Sequence, residues 1–128
     1  MTTTTADALD IRSLSVTFDG GRRNHSGHMA LSDVTLNLAR GSALAIVGES
    51  GSGKTTLLRV ALGLQRDGVS GRVALLGRDL GGCGDEDLIA LRRRCGYVCQ
   101  DPYGGLPPML SAIDAATEPW TVVHGRRS

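Results

Sequence analysis

Nine consecutive residues constrain this chain most. Gly48-Glu-Ser-Gly-Ser-Gly-Lys-Thr-Thr56 fits the pattern G-x-x-x-x-G-K-[ST] and holds the only lysine among fourteen basic residues. Three glycines let the backbone curl so that successive N–H groups face one anion. Lys54 adds a compact cation for β and γ phosphates, and Thr55 a hydroxyl suited to Mg²⁺. Such a loop needs a strand before it and a helix after it. Ser42-Ala-Leu-Ala-Ile-Val47 is a short apolar run that reads as a buried parallel strand, and from Lys54 to Leu64 the residues Leu57, Leu58, Ala61, Leu62 and Leu64 recur at helical spacing. A phosphate seated there would also meet the free N–H groups and positive dipole end of the helix. The competing reading is a glycine-rich turn that binds nothing; both flanks argue for the phosphate cradle, so nucleotide binding is the first expectation.

At 128 residues the chain is one modest domain, and with 41% hydrophobic residues it can form a core. A formal charge of +1 implies neither nucleic acid nor a membrane surface as partner. No segment approaches the ~20 apolar residues of a membrane span, and Met1 to Ala8 lacks the basic start and apolar stretch of a secretory signal, so a cytoplasmic chain is expected. Cys83, Cys95 and Cys99 are odd in number and form no C-x-x-C pair, which favours reduced, partly buried thiols over disulfides or zinc. His25 and His28, beside Arg22 and Arg23, read as a solvated loop rather than a metal site, because no third ligand is near.

Along the chain, residues 1–8 are expected to be a disordered tail, followed by a strand from Leu9 to Phe18. Asp19 to His28 is polar and glycine-rich, a loop. From Leu31 to Leu38, Val34, Leu36 and Leu38 alternate with Thr35 and Asn37, the pattern of a sheet with one wet face. Gly71 to Leu76 reads as another strand, with a turn at Gly77-Arg78. Asp85-Glu-Asp87 opens and Arg92-Arg-Arg94 closes a short helix, the charge order that complements its dipole; the arginines read as a solvated helix end. Gly96 to Cys99 is a further short strand. Gln100 stands at its end, where ligand crevices form in open α/β sheets, and its amide could coordinate a cation or orient a water. An ordinary loop glutamine is the alternative.

Together, Gly48 to Thr56, Gly71-Arg-Val, Arg92-Arg-Arg-Cys-Gly-Tyr-Val-Cys-Gln-Asp-Pro-Tyr103 and Glu118-Pro119 resemble the ATP-binding subunit of an ABC transporter. Gln100 to Pro108 is similar to the Q-loop of the oligopeptide, dipeptide and nickel importer group. The resemblance runs from about Leu9 onward and implies an α/β fold, a P-loop NTPase (RecA-like) core with an antiparallel β subdomain, over a partial ATP-binding domain at 9–128. It implies ATP and Mg²⁺ as cofactors. Gly48, Glu49, Ser50, Gly51, Ser52, Gly53, Lys54, Thr55 and Thr56 would hold the phosphates, with Thr55 on Mg²⁺. Gln100 would contact Mg²⁺ and the attacking water, so that Lys54 and Gln100 carry what catalysis there is. Phe18 matches the aromatic that stacks on adenine, unless it is only a strand-end core residue. Implied partners are transmembrane permease subunits, met through the Q-loop region, and a second ATP-binding subunit. Nucleic acid is not among them. The assembled subunit would be peripheral on the inner face of the cell membrane.

Departures from the family pattern qualify what is implied. Cys99 replaces the usual phenylalanine, and Gly105, Pro107 and Met109 replace the usual Ser, Asn and Arg, which touches partner contact more than nucleotide contact. The signature motif, Walker B strand, D-loop and switch histidine are missing, and the chain reaches Ser128 where the helical subdomain would be starting. Without Walker B acids to hold Mg²⁺ and polarise water, the expectation is nucleotide binding with little or no turnover by this chain alone. Ala43 to Val47 and Tyr97 to Cys99 would also lack the strand that separates them, leaving a marginal sheet or one that closes directly. Three readings stay open: part of a solute-importer motor, a binding module acting without turnover, or a non-transport ABC ATPase. Asp101-Pro-Tyr103 and the lack of a basic face disfavour the last.

Overall fold

The computed structural model describes residues 7–18, 27–101 and 109–124, in two compact units, Met1–Arg92 and Arg93–Ser128. The expected disordered tail falls mostly outside the described residues, as do His25, Arg22 and Arg23 and most of the loop from Gln100 to Pro108.

The first unit is built on four antiparallel strands in the order β2-β1-β3-β4: β1 Leu9–Phe18, β2 His28–Leu38, β3 Val69–Leu75 and β4 Arg78–Asp79. This is the antiparallel β subdomain expected of the α/β fold. Strand β1 is central, and Ile11, Leu14 and Val16 are completely buried. Their spacing breaks strict alternation, because two residues, Arg12 and Ser13, separate Ile11 from Leu14. A pair of bulges restores the face. Ser13 and Asp33 both take φ 47°, and the register slips between Ile11 and Leu14. The displaced amides are satisfied across the strands: Ser13 N–H donates to Thr35 Oγ1 and Asp33 N–H to Ser15 Oγ, each at 2.9 Å. The same shift lets Leu31 and Val34 face inward on β2, whose later half alternates as its sequence predicts.

Leu76-Gly77 connects β3 to β4 as a two-residue turn with both φ positive, the geometry that suits strand twist. A 3₁₀ turn follows at Leu80–Gly82. Its cap is Asp79, whose Oδ1 accepts from Gly81 N–H at 3.0 Å while Oδ2 accepts from Arg72 Nε at 2.9 Å. The Arg72 hydrogen bond, helped by that amide, holds the Asp79 carboxyl below its usual 3.8. A lowered folded-state pKa stabilises above the unfolded value and is lost as pH falls through the folded one. Melting temperature should therefore drop partly through this group as pH falls below the usual carboxylate value of 3.8, and Asp79→Asn should flatten that acid part of the profile in thermal melts.

Among the described residues of this unit there are also two α-helices. Helix α1, Lys54–Ala61, buries Leu57, Val60 and Ala61 against the sheet. It is three residues shorter than its apolar pattern suggests: Gly63 takes φ 65° and ends it, and Leu58 and Leu64 are exposed. Helix α2, Asp85–Arg92, starts and stops where its charges place it and buries Leu88 and Leu91. Arg93 and Arg94 are exposed as expected, but Arg92 is not a solvated helix end, for its guanidinium reaches the carbonyls that follow α1.

Two expected strands are absent. Ser42 to Val47 belongs to no strand, with Val47 89% exposed, and Gly96 to Cys99 in the second unit is likewise no strand, with Val98 93% exposed. An apolar run becomes a buried strand only when a neighbour supplies its ladder, and no described segment pairs with either run. The second unit also contains helix α3, Ala112–His124, with Pro119 inside it. Cys83 is buried, Cys95 and Cys99 are half-buried, and none of the three forms a disulfide.

Candidate functional site

The site grows from the junction between β2, the glycine loop and α1. Residues 42–49 follow the Arg40-Gly41 turn without regular secondary structure, and Ser52 N–H donates to the Glu49 carbonyl at 3.2 Å, so the chain turns just before the helix. Gly53 then takes φ 88° and serves as N-cap, with no side chain capping the helix and no acidic residue in its first turn. Most helices satisfy their first amides with a Ser, Thr or Asp cap. Here the donors of the first turn and the positive dipole end are left for an external anion. Arg59 in the last turn complements the opposite end.

Lys54 folds back over the loop. Its Nζ donates to the Gly48 carbonyl at 2.8 Å, the Glu49 carbonyl at 2.6 Å and Ser52 Oγ at 3.2 Å. The ammonium thus sits inside the curl of the backbone, where an incoming phosphate oxygen can take over one of its donors without moving the helix. Gly48 to Ser52 and Thr55 are exposed, while Gly53, Lys54 and Thr56 are half-buried. A phosphate fits this donor set. For Mg²⁺ the fit rests on the exposed Thr55 hydroxyl, one hard oxygen beside the phosphate position; Mg²⁺ draws its remaining ligands from phosphates and water.

The loop is seated on β2. A Cβ placed on Gly53 would lie 2.6 Å from the Ala30 carbonyl oxygen and 2.7 Å from Leu31 Cδ2. Two residues before Ala30, His28 pairs with Phe18 at the end of β1. At ~3.3 Å per residue, Phe18 therefore stands about 7 Å along the sheet from the seat of the loop. It is 38% exposed at the strand end, rather than enclosed in the core. Sequence reasoning missed the seat formed by Ala30 and Leu31, since nothing local marks which strand a loop will touch.

Gln100 belongs to the second unit. It is exposed and follows a segment without regular secondary structure rather than a strand, so the expectation that it ends a strand is corrected. Beside it the Cys99 thiol donates to the Asp101 carbonyl at 3.1 Å. Among the described residues no group of three or more His, Cys, Asp or Glu could hold a metal ion.

Comparison with known proteins places this geometry. The ABC transporter family profile matches residues 31–121. A probable peptide ABC transporter ATP-binding protein, y4tS of Sinorhizobium fredii, is 46% identical over 90 residues, 70% of this chain and 25% of its own length. The di/tripeptide transport ATP-binding protein DppF of Pseudomonas aeruginosa is 37% identical over 114 residues, 87% of this chain and 35% of its own. The methionine import ATP-binding protein MetN 2 of Burkholderia mallei is 43% identical, over 73% of this chain and 22% of its own. The chain therefore spans about a quarter to a third of these relatives. A solved ATP-binding cassette, MJ0796, in a dimeric post-hydrolysis state bound to ADP and Pi, superposes with a TM-score of 0.77 at 26% identity, covering 94% of this chain and 49% of that one.

Proposed function

The chain belongs to the ABC transporter family, and from that premise we propose that it binds Mg²⁺·ATP through Gly48–Thr56. The observation that carries this is the Lys54 ammonium, held by the Gly48 and Glu49 carbonyls at the mouth of an uncapped helix. The amides of Glu49, Ser50, Gly51, Ser52 and Gly53 surround the phosphates, Lys54 reaches the β and γ oxygens, and Thr55 and Thr56 close the first turn, with Thr55 on Mg²⁺. Phe18 stacks on adenine. Gln100 is the second contact to Mg²⁺ and orients the attacking water, supplying position and charge rather than covalent chemistry.

The finer reading is a motor that couples ATP hydrolysis to peptide uptake, with residues 9–128 as part of its ATP-binding domain. Two relatives whose names specify peptides support it. Such a motor pairs with a second ATP-binding subunit, as the cassette solved as a dimer does, and meets transmembrane permease subunits through the segment after Gln100. Its place is peripheral, on the cytoplasmic face of the membrane; no described helix is long and apolar enough to cross one.

Calorimetric titration of ATP into the purified 128-residue chain tests the core of this reading. One saturable site is expected, weakened when Mg²⁺ is chelated. Heats indistinguishable from dilution for a folded chain would refute it.

A further inference from the structure

Arg92 ends α2 and turns its guanidinium onto the far end of α1. Its Nε donates to the Leu62 carbonyl at 3.2 Å and its Nη2 to the Gly63 carbonyl, both in a half-buried setting. These carbonyls lie just past the last turn of α1, where a helix leaves acceptors unsatisfied and its dipole is negative. Gly63 is also close to α2, since a Cβ on it would lie 3.1 Å from Leu88 Cδ2. The apolar packing beside this contact is incomplete: Val60, Val73, Leu80 and Leu88 line a half-open cleft of about 110 Å³. With a cleft beneath the helix, side-chain packing alone leaves the end of α1 loosely placed, and a planar guanidinium with two fixed donors defines it better. A helix of eight residues is ~12 Å long and behaves as a short rod. Its far end therefore sets the position of Lys54.

We propose that Arg92 is a positioning residue for nucleotide binding: by clamping Leu62 and Gly63 it fixes α1, and through α1 the Lys54 ammonium and Thr55 hydroxyl that face the phosphates. The inference rests on the reading of Gly48–Thr56 as the nucleotide site. It also gives the last residue of α2 a role that its charge pattern does not suggest.

The test is ATP titration, with Mg²⁺, into the full chain and its Arg92→Met and Arg92→Lys variants, at a temperature where circular dichroism shows each to be folded. Arg92→Met should weaken binding about tenfold, and Arg92→Lys, which can reach one carbonyl but not hold both, should recover part of the loss. Amide exchange at Lys54 to Leu57 should quicken in Arg92→Met while β1 stays protected. Wild-type affinity in a folded Arg92→Met would overturn the positioning role and leave the nucleotide site standing. Should Arg92→Met not fold, Arg92→Lys decides: weakened binding supports the clamp, and unchanged binding refutes it. A wild-type chain that binds no ATP removes both the site and this inference.

Discussion

Lys54→Ala is expected to reduce ATP affinity by at least about a hundredfold while leaving the sheet folded. A charge-assisted hydrogen bond contributes roughly 1.5–3 kcal/mol, and the ammonium can engage two phosphate groups at once. In the unliganded chain the same ammonium neutralises the inward-facing Gly48 and Glu49 carbonyls, so its loss also loosens the loop. That second effect is small, because residues 48 and 49 are exposed and water can replace the lysine. The two consequences separate in measurement. Calorimetry should report lost binding, and thermal unfolding followed by circular dichroism should shift by only a few degrees, as expected for a loss under about 1 kcal/mol in a domain of this size. Lys54→Arg should also bind poorly, since a planar guanidinium cannot occupy a pocket made for a point charge. Binding retained in a folded Lys54→Ala chain would mean that the anion site lies elsewhere.

Much of this site was legible in the sequence because its determinants are local. A glycine loop and its lysine occupy nine consecutive residues that lead straight into the helix, and the charge order of Asp85–Arg92 marks both ends of α2 without help from distant contacts. Strand β1 was legible for the same reason, but its bulge was not. Ser13 and Asp33 adopt positive φ although neither is glycine, and they do so because Thr35 and Ser15 across the strands accept their amides. The 42–47 run failed for the opposite reason. Its composition describes a strand that would be buried given neighbours, and burial is a property of those neighbours rather than of the run. Arg92 was misread because a guanidinium at a helix end looks solvated until the end of another helix is brought beneath it. In α3, Pro119 removes one amide donor inside a helix, a position that composition argues against and that the backbone nevertheless tolerates.

The Gly53→Ala and Gly51→Ala variants form a matched pair that tests whether the loop is docked on β2. Both positions have nearly the same backbone, φ 88° and φ 83°, so alanine meets a similar left-handed penalty of about 1 kcal/mol at each. What differs is the space. A Cβ at Gly51 meets nothing within 4 Å, whereas one at Gly53 collides with a backbone oxygen of Ala30 at 2.6 Å and with Leu31 Cδ2 at 2.7 Å. A leucine methyl can swing away. The carbonyl oxygen cannot, because it belongs to a strand held by its register with β1. Relief therefore requires α1 to lift from β2, which exposes part of Leu57 and Leu31 and carries Lys54 away from its acceptors. Gly53→Ala should lose about 3 kcal/mol or more of stability in denaturant titrations, with ATP binding lost beyond detection. Gly51→Ala should lose about 1 kcal/mol and keep measurable binding, since its N–H remains and only its φ is strained. Equal losses in the two variants would show that strain in the loop, and not its seat on Ala30 and Leu31, governs both stability and binding.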